Sequence, residues 1–392
     1  MSDDFIPLAV PNLTGNEARY LQECIETTYV SSVGPFVERL EADAARVTGA
    51  AQAVATSSGT AALHTALVVL GVRPGDLVVA PSFTFIASAN AIRHAGADPW
   101  LMDVERKSWC LNAEQVAVEL AAYCERRGGT VWHRTTGRRV SAIMPVYTLG
   151  NTPDMDAICE LADEWGLPVL VDAACAVGVT YKGRPLGGLA DLSAISLNGN
   201  KTVTGGGGGL IVGEDRKLLS EAKHLTTTAR VWPDYDFDRV GYNYRLTNLN
   251  AAIAVAQLER VDEFVGRKRK VRLFYDRAFA ALREGGWETF PVPRWCRSGC
   301  WFSGLVAPDE CSARRLVEGL NRCGIGARSF WKPVHLQSPY ANALRARSLD
   351  GTERFWKRVV TLPCSTGITD AELNHVVSIT LKLVQCTGDD AL

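Results

Sequence analysis

The sequence lacks nearly every feature that would mark a partner other than a small molecule. Its 42 Lys and Arg stand against 43 Asp and Glu, a net charge of −1, so no basic field is present to hold nucleic acid or an anionic membrane. No apolar run approaches the roughly 20 residues of a membrane span. The opening Met1-Ser-Asp-Asp-Phe-Ile-Pro7 has neither a basic n-region nor an apolar h-region, so no secretory signal is expected. The 11 cysteines form no C-x-x-C pair, which argues against paired metal ligation. Their odd number suits reduced thiols and a cytoplasmic location, most of them as small core residues. Internal repeats and low-complexity tracts are missing as well. What remains is a chain of 392 residues, long enough for two domains with a sizeable core.

One stretch organises the rest. Ala194 to Leu197 alternates as a strand does, Asn198-Gly199-Asn200 breaks it, and Lys201 follows. Gly205 to Gly209 come next, and then the apolar Leu210-Ile211-Val212. A glycine run sacrifices backbone entropy and supplies no side chains, so it suits a sharp bend and a close approach. A phosphate-binding P-loop needs its glycines before the lysine, and a dinucleotide turn needs a helix after them. Neither order is met. Two readings stay open: a Schiff-base lysine at a strand end among small residues, and an exposed lysine in a flexible glycine hairpin.

Upstream, Leu167 to Gly178 has the pattern of a buried strand ending in a carboxylate, Asp172. Such an Asp is usually a cap or turn residue. A pyridoxal phosphate (PLP) site, however, needs an acid to hold the pyridine nitrogen protonated, so that the ring acts as an electron sink. Asp172 and Lys201 on successive strands of one sheet meet that need.

Elsewhere the periodicity predicts helices over residues 12–29 and 36–48, then a strand, turn and helix over Ala53 to Leu67. In that turn Ser57, Ser58, Gly59 and Thr60 place hydroxyls and free N–H groups at a helix N-terminus, a phosphate site or a simple cap. His64 reads as a core histidine. Phe83 and Phe85, before the next helix, offer a face to a cofactor ring or belong to the core. The basic stretch 125–140 reads as a solvated hairpin, or as a contact for an anionic substrate. Strands alternating with helices from 50 to 212 give an α/β domain with a mostly parallel sheet. A long helical pattern over 251–282 connects it to a smaller α+β domain, with a strand over Trp301 to Val306 and helices over 313–323 and 353–360. The division expected is 1–250 and 251–392.

Several motifs in this order resemble one family: Ser58-Gly59-Thr60-Ala-Ala-Leu, Pro81-Ser-Phe-Thr-Phe, Asp154-Met-Asp156, the strand end at Asp172, Asn-Gly-Asn-Lys201, Gly241-Tyr-Asn-Tyr-Arg-Leu-Thr-Asn248 and Pro333-Val-His-Leu336. Over nearly the whole chain the sequence is similar to the PLP-dependent sugar aminotransferases of the DegT/DnrJ/EryC1/StrS family. The resemblance implies an aspartate-aminotransferase-like fold (PLP fold type I), with a mostly parallel, seven-stranded-type sheet, and a homodimer with shared active sites. It implies that Lys201 binds PLP as a Schiff base and shuttles the proton, and that Asp172 pairs with the pyridine nitrogen. Phe85 would stack on the ring, and Ser58, Gly59, Thr60 and Ser196 would hold the phosphate, with Asn243 reaching it from the partner subunit. His335 and Ser32 would lie near the sugar nucleotide. No metal is implied.

Cys175 departs from the family pattern, standing where relatives place Gln or His against the cofactor's phenolic oxygen; a thiol bonds more weakly there. Asn198-Gly199-Asn200 replaces a His-containing sequence. With Tyr29-Val-Ser-Ser-Val-Gly-Pro-Phe-Val37, these features resemble the LegC-like branch. That branch implies amino transfer from L-glutamate to C4 of UDP-2-acetamido-2,6-dideoxy-4-ketohexose, on a bacillosamine- or legionaminic-type route. The alternatives are GDP-4-keto-6-deoxymannose (perosamine-type) as acceptor, and a dehydrative aminotransferase. A sugar dehydratase would carry His in place of Lys201. A PLP-binding regulator would carry a DNA-binding region that residues 1–50 do not provide.

Overall fold

Short apolar segments buried on both faces pair into one sheet in the computed structural model, which describes residues 5–231 and 235–389. The strands are β1 (Gln52–Thr56), β2 (Leu77–Pro81), β3 (Asp98–Met102), β4 (Cys124–Arg127), β5 (Thr130–His133), β6 (Arg138–Ile143), β7 (Leu170–Asp172), β8 (Thr180–Tyr181), β9 (Arg184–Pro185), β10 (Leu192–Ser196) and β11 (Gly209–Gly213). Two ladders, β1-β11-β10-β7 and β6-β2-β3, join where Ile143 and Val146 meet Val169 and Asp172. The continuous order is therefore β1-β11-β10-β7-β6-β2-β3, and of these seven strands β11 alone runs antiparallel. Helices on both faces explain why β2 and β10 are apolar and buried throughout rather than alternating. The expected seven-stranded, mostly parallel sheet is the one that forms.

The helices that matter here are α1 (Glu17–Glu26), α2 (Pro35–Thr48), α3 (Gly59–Val69) and α4 (Ile86–His94). Helix α2 stops where expected, at Gly49 with φ +68°. The first helix is shorter than the periodicity implies. It starts at Glu17 with no side-chain cap; the Thr14 hydroxyl donates to Asn12, and Ile6 bonds Gly324 and Gly326 of the smaller unit.

The long helical pattern over 251–282 also divides. One helix runs Asn248–Leu258 and packs on α1 and α2; the next runs Val261–Ala278 toward the second core. At the break Arg260 departs from helical geometry (φ −113°, ψ 14°), while Glu259, still helical, accepts bonds from Tyr20 (2.5 Å) and Arg39 (2.6 Å). A two-residue irregularity is hidden from periodicity because both halves keep the same apolar spacing.

The second core gathers Phe290, Phe302, Leu305, Val360 and Leu362 around a three-stranded sheet, Glu288–Thr289, Ser303–Val306 and Val359–Leu362. Residues 359 and 360, expected as the end of a helix, pair instead with Val306 and Leu305. The basic stretch forms the antiparallel β4-β5-β6 meander. Its arginines are consumed internally: Arg138 pairs with Asp98 and Arg139 with Asp76, while Arg126 lies over Trp165. The stretch is thus a hairpin, and these arginines are engaged by the protein's own groups. No helix among the described residues is long and apolar enough to cross a membrane.

Candidate active site

Strands β7 and β10 run parallel and adjacent, with Ala194 beside Asp172, so the carboxylate and the lysine loop emerge from the same edge of the sheet. Asp172 is 4% exposed. Its Oδ2 accepts from Ser88 Oγ at 2.6 Å and its Oδ1 from the Ala174 N–H at 3.0 Å. Thr84 Oγ1 lies 2.8 Å from Ser88 Oγ and orients it. Burial pushes the Asp172 pKa up, while Ser88, Ala174 and the nearby Lys201 charge act the other way. The result is a fixed carboxylate in a dry site that is short of positive charge.

After β10 the chain turns within a few residues. Lys201 N donates to Asn198 O (3.0 Å), and the loop closes by Gly205 N to Leu197 O and Leu197 N to Gly208 O, both 2.9 Å. Gly206 and Gly208 have φ of +74° and +110°, which favour glycine. A Cβ on Gly209 would stand 2.6 Å from the backbone of Ser58 and Gly59. The glycine run thus lets the lysine loop seat directly against the start of α3. Lys201 Nζ donates to Cys175 Sγ at 3.2 Å and lies 3.9 Å above the Trp301 ring, whose Nε1 donates to Asn200 O at 2.8 Å. The lysine is held, not loose, and the flexible-hairpin reading falls.

At the start of α3, Ser58 Oγ accepts from the Ala61 N–H (3.0 Å) as an N-cap. The amides of Gly59 and Thr60, in the first turn, have no intrahelical acceptor, the general condition for anion binding at a helix start. Ser196 closes the cradle: a Cβ on Gly59 would meet its side chain at 2.9 Å. Of the two aromatics, Phe83 is core, packed on Trp109 and Phe355, whereas Phe85 leaves 56% of its surface open.

Three expected residues are not drawn into this cluster. Asn243 is exposed, on a segment bridged to Thr227. Ser32 is half-buried in a turn that Asn248 clamps, through its N–H to Ser31 O (2.6 Å) and its amide to Tyr29 O (2.8 Å). His335 is buried, with Nδ1 2.6 Å from Ser82 Oγ and Nε2 3.0 Å from Glu353 Oε1. Burial lowers its pKa, with Glu353 opposing. Both ring nitrogens are taken, so His335 works here as a clasp between the turn after β2 and the C-terminal unit. His335→Ala is expected to cost about 1–3 kcal/mol of stability by stranding Ser82, measured by urea unfolding, with the acceptor KM unchanged. A raised acceptor KM at unchanged stability would return the residue to the substrate site.

Sequence reasoning missed Ser88 and Trp301. Ser88 is a buried polar position inside an otherwise apolar helix face, and that was the available signal. Trp301 gave none, since its contact with Lys201 crosses 100 residues of chain.

A dry carboxylate wanting a cation, an amine one loop away, first-turn amides for a phosphate and an open aromatic face together fit PLP on this sheet. They define the class: a PLP-dependent aminotransferase of fold type I. More particularly, the chain belongs to the DegT/DnrJ/EryC1/StrS aminotransferase family, whose model matches residues 11–380. It is 37% identical over 381 residues to a GDP-perosamine synthase of Caulobacter vibrioides, covering 95% of this chain and 96% of that protein. Among solved structures it resembles TlmJ of Streptoalloteichus hindustanus at 28% identity and TM-score 0.87, over 98% of this chain and 100% of that one. It also resembles DesI, solved with its TDP-sugar product, at 26% identity and TM-score 0.86, over 98% and 95% of the two chains. The protein is a PLP-dependent sugar aminotransferase.

Proposed function

We propose that the protein moves an amino group from L-glutamate to C4 of GDP-4-keto-6-deoxymannose. The observation that supports the chemistry is that Asp172 and the loop carrying Lys201 emerge from one edge of the sheet. The choice of acceptor rests on the similarity to a GDP-perosamine synthase. The UDP-linked acceptor expected of a LegC-like branch gains no such support. Bound cofactor supplies the electron sink and carries the amine between the two half-reactions. Asp172 holds a proton on the ring nitrogen. Lys201 is the base beside the reacting carbon and moves the proton at its Nζ. The Gly59 and Thr60 amides with Ser58 and Ser196 would hold the phosphate, and Cys175, which accepts from Lys201 Nζ, would be the side chain near the ring's oxygen.

A homodimer with shared sites belongs to the same proposal. Large apolar side chains are exposed at Tyr29, Val30 and Val33 beside Ser32, and at Tyr235, Phe237 and Val240 beside Asn243. Covering them with a second copy would carry both candidate residues to a shared site. The free thiols at the ten described cysteines suit work in the cytoplasm.

The test is the visible spectrum of the PLP-loaded protein. Glutamate should bleach the band and GDP-4-keto-6-deoxymannose should restore it. Restoration by a UDP-linked keto sugar alone would overturn the acceptor assignment. No visible band with PLP present would overturn the whole reading.

A further inference from the structure

A pocket of about 340 Å³ opens beside the lysine loop, between the N-terminal segment and the C-terminal unit. Asn200, next to Lys201 in the chain, forms one wall, Phe302 and Phe330 another, and Arg328 is the single charged lining residue among those described. Lys201 itself does not line the pocket; Asn200, its neighbour in the chain, links the two. Trp301, whose face lies under Lys201 Nζ, donates to Asn200 O and stacks on Phe330 at 6.3 Å.

Arg328 is fixed at its backbone and open at its head. Its N–H donates to Thr361 Oγ1 (3.2 Å) and its carbonyl accepts from Thr361 N (2.8 Å), while the residue itself is exposed. Asn200 is likewise half committed. Its Oδ1 accepts from Asn198 Nδ2 at 3.1 Å, while its Nδ2 donates to no acceptor among the described residues. Donors at two points with an apolar wall between them suit a short chain that has a carboxylate at each end.

We infer that this pocket receives the amino donor, with Arg328 binding its side-chain carboxylate and Asn200, nearest Lys201, its α-carboxylate. This rests on the proposed amino transfer from an acidic amino acid and adds the residue that selects that donor. It also gives a use to the Asn-Gly-Asn sequence ahead of the lysine. A guanidinium–carboxylate contact in a partly dry site contributes on the order of 10- to 100-fold in affinity.

The experiment is a set of spectral titrations of PLP-loaded wild type, Arg328→Gln and Arg328→Lys. In Arg328→Gln the glutamate concentration for half-maximal bleaching should rise by about 10- to 100-fold. The requirement for glutamine, which has no side-chain charge, should stay unchanged, as should the keto-sugar concentration that restores the band. Arg328→Lys should recover part of the loss. Glutarate, which cannot react, should quench tryptophan fluorescence in wild type and far less in Arg328→Gln. An unchanged glutamate requirement, or an equal rise for glutamine, overturns the inference. So does a rise confined to the keto sugar, which would assign Arg328 to the nucleotide phosphates. Wild-type protein that glutamate fails to bleach would overturn the underlying donor assignment instead, and this is seen before any variant is compared.

Discussion

Lys201→Ala is expected to abolish transamination, with kcat falling by about 10⁴-fold or more, because the amine serves twice. It attaches the cofactor covalently, and it moves the proton in each half-reaction. No other strong base is seen at this edge of the sheet among the described residues: Cys175 is a thiol whose pKa burial raises, and His335 is enclosed between Ser82 and Glu353. The fold should survive the change. Lys201 Nζ contacts a sulfur and a ring face, whereas the loop is held by the backbone bonds of Leu197, Gly205 and Gly208. Borohydride treatment of the PLP-loaded protein followed by peptide mass analysis separates the two roles. Wild type should carry the reduced cofactor on the peptide containing Lys201, and the variant should carry none while keeping its unfolding midpoint. Turnover near the wild-type rate would remove Lys201 from the mechanism.

The site was legible in the sequence where local order alone determines it. Asp172 ends one strand and Lys201 lies in the turn after the adjacent parallel one, and strand ends and turns are positions that apolar runs and breakers announce. The start of α3 was legible for the same reason, since a cap and its amides lie within four residues. The glycine run showed that something must approach closely, but not what. Its neighbour proves to be the backbone of Ser58 and Gly59, about 150 residues upstream, which only the pairing of β1 with β11 reveals. His335 marks the opposite case. Its motif drew attention to a histidine near the site, yet burial and two partners commit both nitrogens to the fold. The helix break at Glu259 and Arg260 escaped because apolar spacing continues through it, and the side chains that meet Glu259 there lie on α1 and α2.

Asp172→Asn is expected to slow transamination by about 10²–10³-fold, the usual consequence of losing one fixed electrostatic partner in a dry site. An amide has nearly the shape of the carboxylate. Its oxygen can still accept from the Ala174 N–H, and its NH₂ can donate to Ser88 Oγ, so the geometry around it should hold. What goes is the negative charge that keeps the ring nitrogen protonated. The cofactor-free protein offers a second, opposite readout. Burial raises the Asp172 pKa above the ordinary value near 3.9, so the native state binds its proton more tightly than the unfolded chain does. The stability linked to that proton is full below the unfolded pKa and is lost as pH rises through the folded one. Cofactor-free Asp172→Asn should therefore melt higher than wild type at neutral pH, and the gap should close as pH falls below the ordinary carboxylate range. Adding PLP should reverse the order, since the ring's positive charge then pairs with the wild-type carboxylate and leaves nothing for the amide to improve. A variant both slower and less stable than wild type without cofactor would mean that Asp172 holds the fold rather than the ring. An unchanged rate would mean that it holds neither a proton nor a charge that the reaction needs.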